Sequence, residues 1–222
     1  MYTQTFYRFL QFSFLLIVTV FLLSLSALPH WLFVTLKVSP ALITIVIAFL
    51  YGSEKKILPI LIFLFMGSGD LLLGLDRTKF FMFALASFMI ANLLLLIYLI
   101  PYAKKSITGM IRASVIVLFC AGSSSIILPN SGKFLLPVLL YLLMIGSMAF
   151  VSASNTKNRK WLIYAGAFCF LLSDSLIAYD KFVNPVQGSL PVILAFYYTS
   201  LYCFCFGIVP YQKPPIAKQL NS

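Results

Sequence analysis

The sequence predicts an all-α protein, a polytopic membrane bundle of eight transmembrane helices with both termini on the cytoplasmic side. Three observations carry this. Of the 222 residues, 62% are hydrophobic and 9% are charged, whereas soluble domains carry about 25% charged residues. The apolar residues fall into eight runs close to the roughly 20 residues that cross a bilayer. The basic residues gather in alternate gaps between these runs, the bias that membrane insertion imposes. A net charge of +11 in a soluble chain would suggest nucleic acid. Here the charges occupy short inter-span loops, and no nucleic-acid partner is expected.

The first run, 9–28, ends in Ser24-Leu25-Ser26-Ala27, which resembles a cleavage site. It is longer than a signal h-region and is preceded only by Arg8, so it reads as a retained helix. The second, 31–50, begins beside the interfacial pair His30-Trp31 and contains Lys37. The third, 57–75, follows the turn Gly52-Ser53-Glu54-Lys55-Lys56 and contains Asp70; the fourth, 80–100, follows Asp76-Arg77 and contains Asn92. The fifth, 110–128, is closed by Pro129-Asn130-Ser131-Gly132-Lys133, and the sixth, 134–153, contains Tyr141. The seventh, 161–179, follows Asn155-Thr156-Lys157-Asn158-Arg159-Lys160 and contains Asp174; the eighth, 190–209, contains Tyr197 and Tyr198. Residues 1–209 thus form a single transmembrane domain, and 210–222 a short polar cytoplasmic tail.

Eleven Lys and Arg residues lie on one side of this arrangement and four on the other, with Lys37 left inside a span. That excess places both ends in the cytoplasm and makes the protein a multi-pass integral protein, of the inner membrane in a bacterium. The four cysteines, Cys120, Cys169, Cys203 and Cys205, lie in apolar runs and read as small core residues.

Charges inside a bilayer are costly and mark function. Lys37, Asp70 and Asp174 are the three embedded here. With about 1.5 Å of rise per residue, Lys37 lies about 9 Å from the outer face and the two aspartates about 8 Å. Tyr141, Tyr197 and Tyr198 fall at similar depth, so five spans converge on one level. Two carboxyls with one cation balance when one carboxyl holds a proton. Lys37 suits either a structural pair or contact with substrate, and Asn92 either helix packing or site lining. Asp76 and Asp180 read as loop-end charges. The surroundings of Asp70 and Asp174 are alike at an offset of 104 residues, which suggests two parallel four-helix halves.

No Gly-rich phosphate loop, His-rich cluster or Gly-x-Ser-x-Gly elbow is present, so no metal or cofactor is expected. Two carboxyls in an apolar pocket suit general acid–base work or proton-coupled transport.

The chain resembles the YhhN-type lysoplasmalogenases, eight-span membrane enzymes. The resemblance rests on Lys37-Val38-Ser39-Pro40, on Phe65-Met66-Gly67-Ser68-Gly69-Asp70-Leu71-Leu72-Leu73, and on Leu136-Pro137-Val138-Leu139-Leu140-Tyr141 with Met148. It continues through the block 166–178, which contains Ser173-Asp174, then Lys181-Phe182 and Tyr197-Tyr198. Asn92 stands where many members have His, and Leu95 where they have Tyr, so no catalytic His carries over. The resemblance implies hydrolysis of the vinyl ether of lysoplasmalogens to a fatty aldehyde and a glycerophospho head. Asp70 and Asp174 would be catalytic, in an order left open. Lys37, Tyr141, Tyr197, Tyr198, Asn92 and Ser173 would bind substrate, a lysophospholipid entering from the membrane lipid. The alternative is a small proton-coupled transporter using the same aspartates.

Overall fold

The computed structural model describes residues 4–52, 56–157 and 159–211. Its helices are α1 (Gln4–Ser24), α2 (His30–Tyr51), α3 (Ile57–Leu75), α4 (Phe81–Leu99), α5 (Ile107–Asn130), α6 (Leu135–Ala153), α7 (Lys160–Phe182) and α8 (Ser189–Ile208). All eight are long and apolar enough to cross a membrane, and the chain is a multi-pass integral membrane protein. The loop charges Lys55, Lys213 and Lys218 and nearly all of the expected tail lie outside the described residues.

Helix boundaries follow local chemistry. α1 ends earlier than its apolar run, at a turn in which the Ala27 N–H donates to the Ser24 carbonyl at 2.9 Å. α5 starts at Ile107 rather than 110 because the Ser106 hydroxyl caps it, accepting the Gly109 N–H at 3.0 Å. α7 runs past 179 to Phe182, so Asp180 and Lys181 ride on its last turn.

The helices alternate in direction. Tyr7, near the start of α1, donates to the Val209 carbonyl beyond the end of α8 at 2.8 Å and packs edge-on against Tyr51 at the end of α2. At the opposite end, Phe81 of α4 and Phe134 before α6 pack on Phe182 of α7. Both ends of the described chain therefore share one end of the bundle. The four described acidic residues, Asp70, Asp76, Asp174 and Asp180, lie toward the other.

Each of the first four helices has a counterpart about one hundred residues on. α2 starts at His30 and α6 at Leu135; α3 starts at Ile57 and α7 at Lys160. Neighbour relations repeat as well, since α4 packs on α6 while its counterpart α8 packs on α2. Of the α8 span 67% is buried, against 22% for α1 and α5, which makes α8 the hub. Lipid tails are as apolar as leucine, so close fit rather than apolar burial holds such helices together.

Candidate active site

The site is assembled around α3. A Cβ on Gly69 would lie 2.6–2.8 Å from three carbons of the Phe88 ring, and one on Gly67 would lie 3.1 Å from the Ala41 Cβ. Only glycine lets α4 and α2 close in this far on either side of Asp70. The Asp70 carboxyl is 2% exposed, and its Oδ2 accepts the Tyr197 hydroxyl at 2.6 Å.

On α2, Pro40 has no N–H to give the Leu36 carbonyl. The Ser39 hydroxyl donates to that carbonyl instead, at 2.9 Å. One residue on, the Lys37 carbonyl accepts the Tyr198 hydroxyl at 3.0 Å. Consecutive tyrosines of α8 thus do different things: Tyr197 holds the Asp70 carboxyl, and Tyr198 braces the α2 backbone. Lys37 is 4% exposed, with its ammonium 6.0 Å from the Phe33 ring centre. It lies within electrostatic range of Asp70. Ion pairs among the described residues, Arg77–Asp180 and Lys79–Asp76, do not include it.

Asp174 is positioned by the second half. Its Oδ2 accepts the Tyr141 hydroxyl from α6. The neighbouring Ser173 hydroxyl donates to the Ile193 carbonyl at 3.1 Å, tying α7 to α8. Asn92 donates to the Phe88 carbonyl at 2.9 Å and adjoins Tyr141, while its Oδ1 is buried without a partner. Lys37 and Tyr141 are related by the 104-residue offset that relates Asp70 and Asp174. Each half therefore sets a carboxyl on its third helix near a polar side chain of its second, and the two partners differ in charge.

Two small cavities meet here. A polar one, about 20 Å³, is lined by Lys37, Asp70, Arg77, Ser173, Asp174 and Tyr197 together with apolar residues. An apolar one, about 40 Å³, is lined by Phe81, Leu85, Val138, Ile145 and Phe182 among others, with Tyr141 and Asp174 in its wall. Leu73, Phe88, Asp174 and Ile177 line both. A water needs about 10–15 Å³ of such space, so the polar cavity has room for one water and the apolar one for a few. Of the expected site residues, Lys37, Asp70, Ser173, Asp174, Tyr141 and Tyr197 line a cavity; Tyr198 and Asn92 stand behind them.

Sequence reading overlooked Arg77, which counted only as a loop charge. It lies just past the end of α3, where Asp76 has already left the helix for extended backbone, and closes the polar cavity. Its Nη2 is 4.0 Å from Asp180 Oδ2. Asp180 Oδ1 accepts the Val186 N–H at 2.8 Å and the Ser189 hydroxyl at 3.2 Å, which fixes the α7–α8 loop beside Arg77. Asp76 has a separate task. Its carboxylate accepts the Lys79 and Thr78 N–H groups, which hold it below the usual carboxylate range.

The sequence matches the model of the YhhN family over residues 30–208, from the first residue of α2 to the last of α8. The chain belongs to the YhhN family. Every site residue described above lies inside the match. The chain is also 29% identical over 139 residues to proteins named lysoplasmalogenase from Mycobacterium bovis (strain ATCC BAA-935 / AF2122/97) and Mycobacterium tuberculosis (strain CDC 1551 / Oshkosh). The aligned part covers 60% of this chain and 52% of each relative, so the chain spans about half the length of the curated relatives it matches. No solved structure matches it.

Proposed function

We propose that this YhhN-family protein is a lysoplasmalogenase-like hydrolase. It would cleave the vinyl ether of alkenyl glycerophosphoethanolamine or glycerophosphocholine, giving a fatty aldehyde and the glycerophospho head. The observation that carries this reading is the meeting of a polar and an apolar cavity at Asp174. A lysoplasmalogen has the same division: a charged head, a hydrocarbon chain, and the vinyl ether where they join.

The roles follow from the surroundings. Asp70 lies within electrostatic range of Lys37 and, unlike Asp174, has no part in the wall of the apolar cavity, so it is the anion. Asp174, with neutral Tyr141 as its partner and apolar residues on one side, is the protonated acid. Asp174 gives its proton to the β-carbon of the vinyl ether, and the double bond's electron pair forms the new C–H bond. The resulting oxocarbenium ion is stabilised by Asp70. Two opposite charges about 4 Å apart interact by about 4 kcal/mol at an effective dielectric near 20. A water in the polar cavity then adds to the cationic carbon and releases its proton to Asp70. The hemiacetal collapses to aldehyde and alcohol, and proton exchange restores both carboxyls. Lys37 and Arg77 face the phosphate of the head, and the alkenyl chain occupies the apolar cavity after its walls part. By the eleven-to-four excess of basic residues, the site belongs to the outer half of the membrane and the termini to the cytoplasm.

A proton-coupled carrier is the second reading, favoured by the repeat of four helices. Purified protein in detergent, given lysoplasmalogen, separates the two readings. Aldehyde release without a membrane supports hydrolysis; gradient-driven solute movement in vesicles, with no hydrolysis, supports transport.

A further inference from the structure

The end of the bundle at which the described chain begins and ends holds a second polar chamber, far from Asp70 and Asp174. Two adjoining cavities, about 420 and 560 Å³, share Tyr102, Lys157 and Pro210 in their walls. They lie beside the last turns of α4 and α8 and the loop between α6 and α7. The Lys157 ammonium sits 4.3 Å from the ring centres of both Tyr98 and Tyr102 and donates to the Tyr98 hydroxyl. Arg159 lines the second cavity and commits one guanidinium N–H to the Phe206 carbonyl at 3.0 Å.

The backbone holds these side chains in place. The Thr156 N–H and hydroxyl both donate to the Tyr102 carbonyl, at 3.0 and 2.8 Å. The Lys104 N–H donates to the Ser154 carbonyl at 3.0 Å, and the Lys157 N–H to Asn155 Oδ1 at 2.9 Å. Two loops are thereby zipped together under the chamber. None of the four described acidic residues lies at this end, so neither cation has a described carboxylate to neutralise it. Burial pushes the Lys157 ammonium down to about 8. The general excess of basic residues on one side of a membrane protein accounts for exposed Lys104 and Lys105. It does not account for an ammonium seated between two rings at the mouth of a cavity.

We propose that this chamber binds a phosphate group, carried either by an anionic phospholipid head at the membrane surface or by a soluble phosphate. Phosphate supplies an anion to both cations, and Tyr102 and Thr156 offer hydroxyls beside them. The test uses the full chain purified in neutral detergent, with its melting temperature followed on addition of phosphatidylglycerol, phosphatidylcholine or inorganic phosphate. Ligand at about 100 times its Kd should raise the Tm by roughly 5–10 °C. A rise with phosphatidylglycerol alone assigns a lipid head; a rise with inorganic phosphate assigns a soluble phosphate. Either rise must disappear in Arg159→Gln and in Lys157→Met and persist in Lys104→Gln/Lys105→Gln. Arg159 is exposed, so its variant keeps the test decisive should Lys157→Met not fold. No rise with any anion, a rise that survives Arg159→Gln, or equal loss in the Lys104/Lys105 variant overturns the proposal.

Discussion

Asp70→Asn changes one oxygen to an amide nitrogen and leaves the shape of the site intact. Asn can still accept the Tyr197 hydroxyl that meets Asp70 at 2.6 Å, so the fold should survive. What disappears is the negative charge proposed to face the oxocarbenium ion. At about 4 Å and an effective dielectric near 20, that charge contributes about 4 kcal/mol. With about 1.36 kcal/mol per tenfold in rate, kcat should fall roughly 10³-fold. The assay is aldehyde formation from lysoplasmalogen by purified protein in detergent, with circular dichroism and Tm as folding controls. KM should change far less than kcat, because ground-state substrate is not cationic at the reacting carbon. A well-folded Asp70→Asn protein with a kcat within about tenfold of wild type would refute the electrostatic role.

Three further outcomes are expected. Tyr197→Phe leaves the buried Asp70 carboxyl without its donor and should lower stability by about 1–3 kcal/mol, read by thermal denaturation. Gly69→Ala drives a methyl into the Phe88 ring, which is packed edge-on against Phe170 and Tyr197; a loss of about 1–3 kcal/mol should accompany reduced hydrolysis, since Phe88 lines both cavities. Lys157 is held down at about 8 in the folded protein, so from there up to about pH 10, the usual lysine range, the unfolded chain binds more protons and stability rises with pH. Lys157→Met should flatten that part of the stability–pH curve, and an unchanged slope would contradict the assignment.

The fold was legible because a bilayer punishes any other pattern. Eight runs of bridging length and the division of basic loops left little freedom in the number of helices, and the similar settings of Asp70 and Asp174 already pointed to two halves. Embedded charges were equally conspicuous, since Lys37, Asp70 and Asp174 have no business in hydrocarbon unless partnered. Which tyrosine serves which group was not legible. Tyr197 and Tyr198 are adjacent in sequence, and only the rotation of α8 against α2 and α3 sends one to a carboxyl and the other to the Lys37 carbonyl. Arg77 was hidden by its place just past the end of α3, where a base reads as a topology signal. The difference between the two halves emerged only when Lys37 and Tyr141 were seen in corresponding positions. Their unlike charge is what separates the proposed anion from the proposed acid.

The most direct test is whether the purified protein releases fatty aldehyde from lysoplasmalogen in detergent, with no gradient present, and whether Asp174→Asn stops it. The proposed chemistry predicts aldehyde and glycerophospho head in equal amounts from wild type. It predicts a rate lower by about 10²–10⁴-fold in a folded Asp174→Asn variant, which keeps the shape of the site and lacks the proton. Intact lysoplasmalogen after incubation with folded wild-type protein, or undiminished aldehyde release by Asp174→Asn, would contradict it.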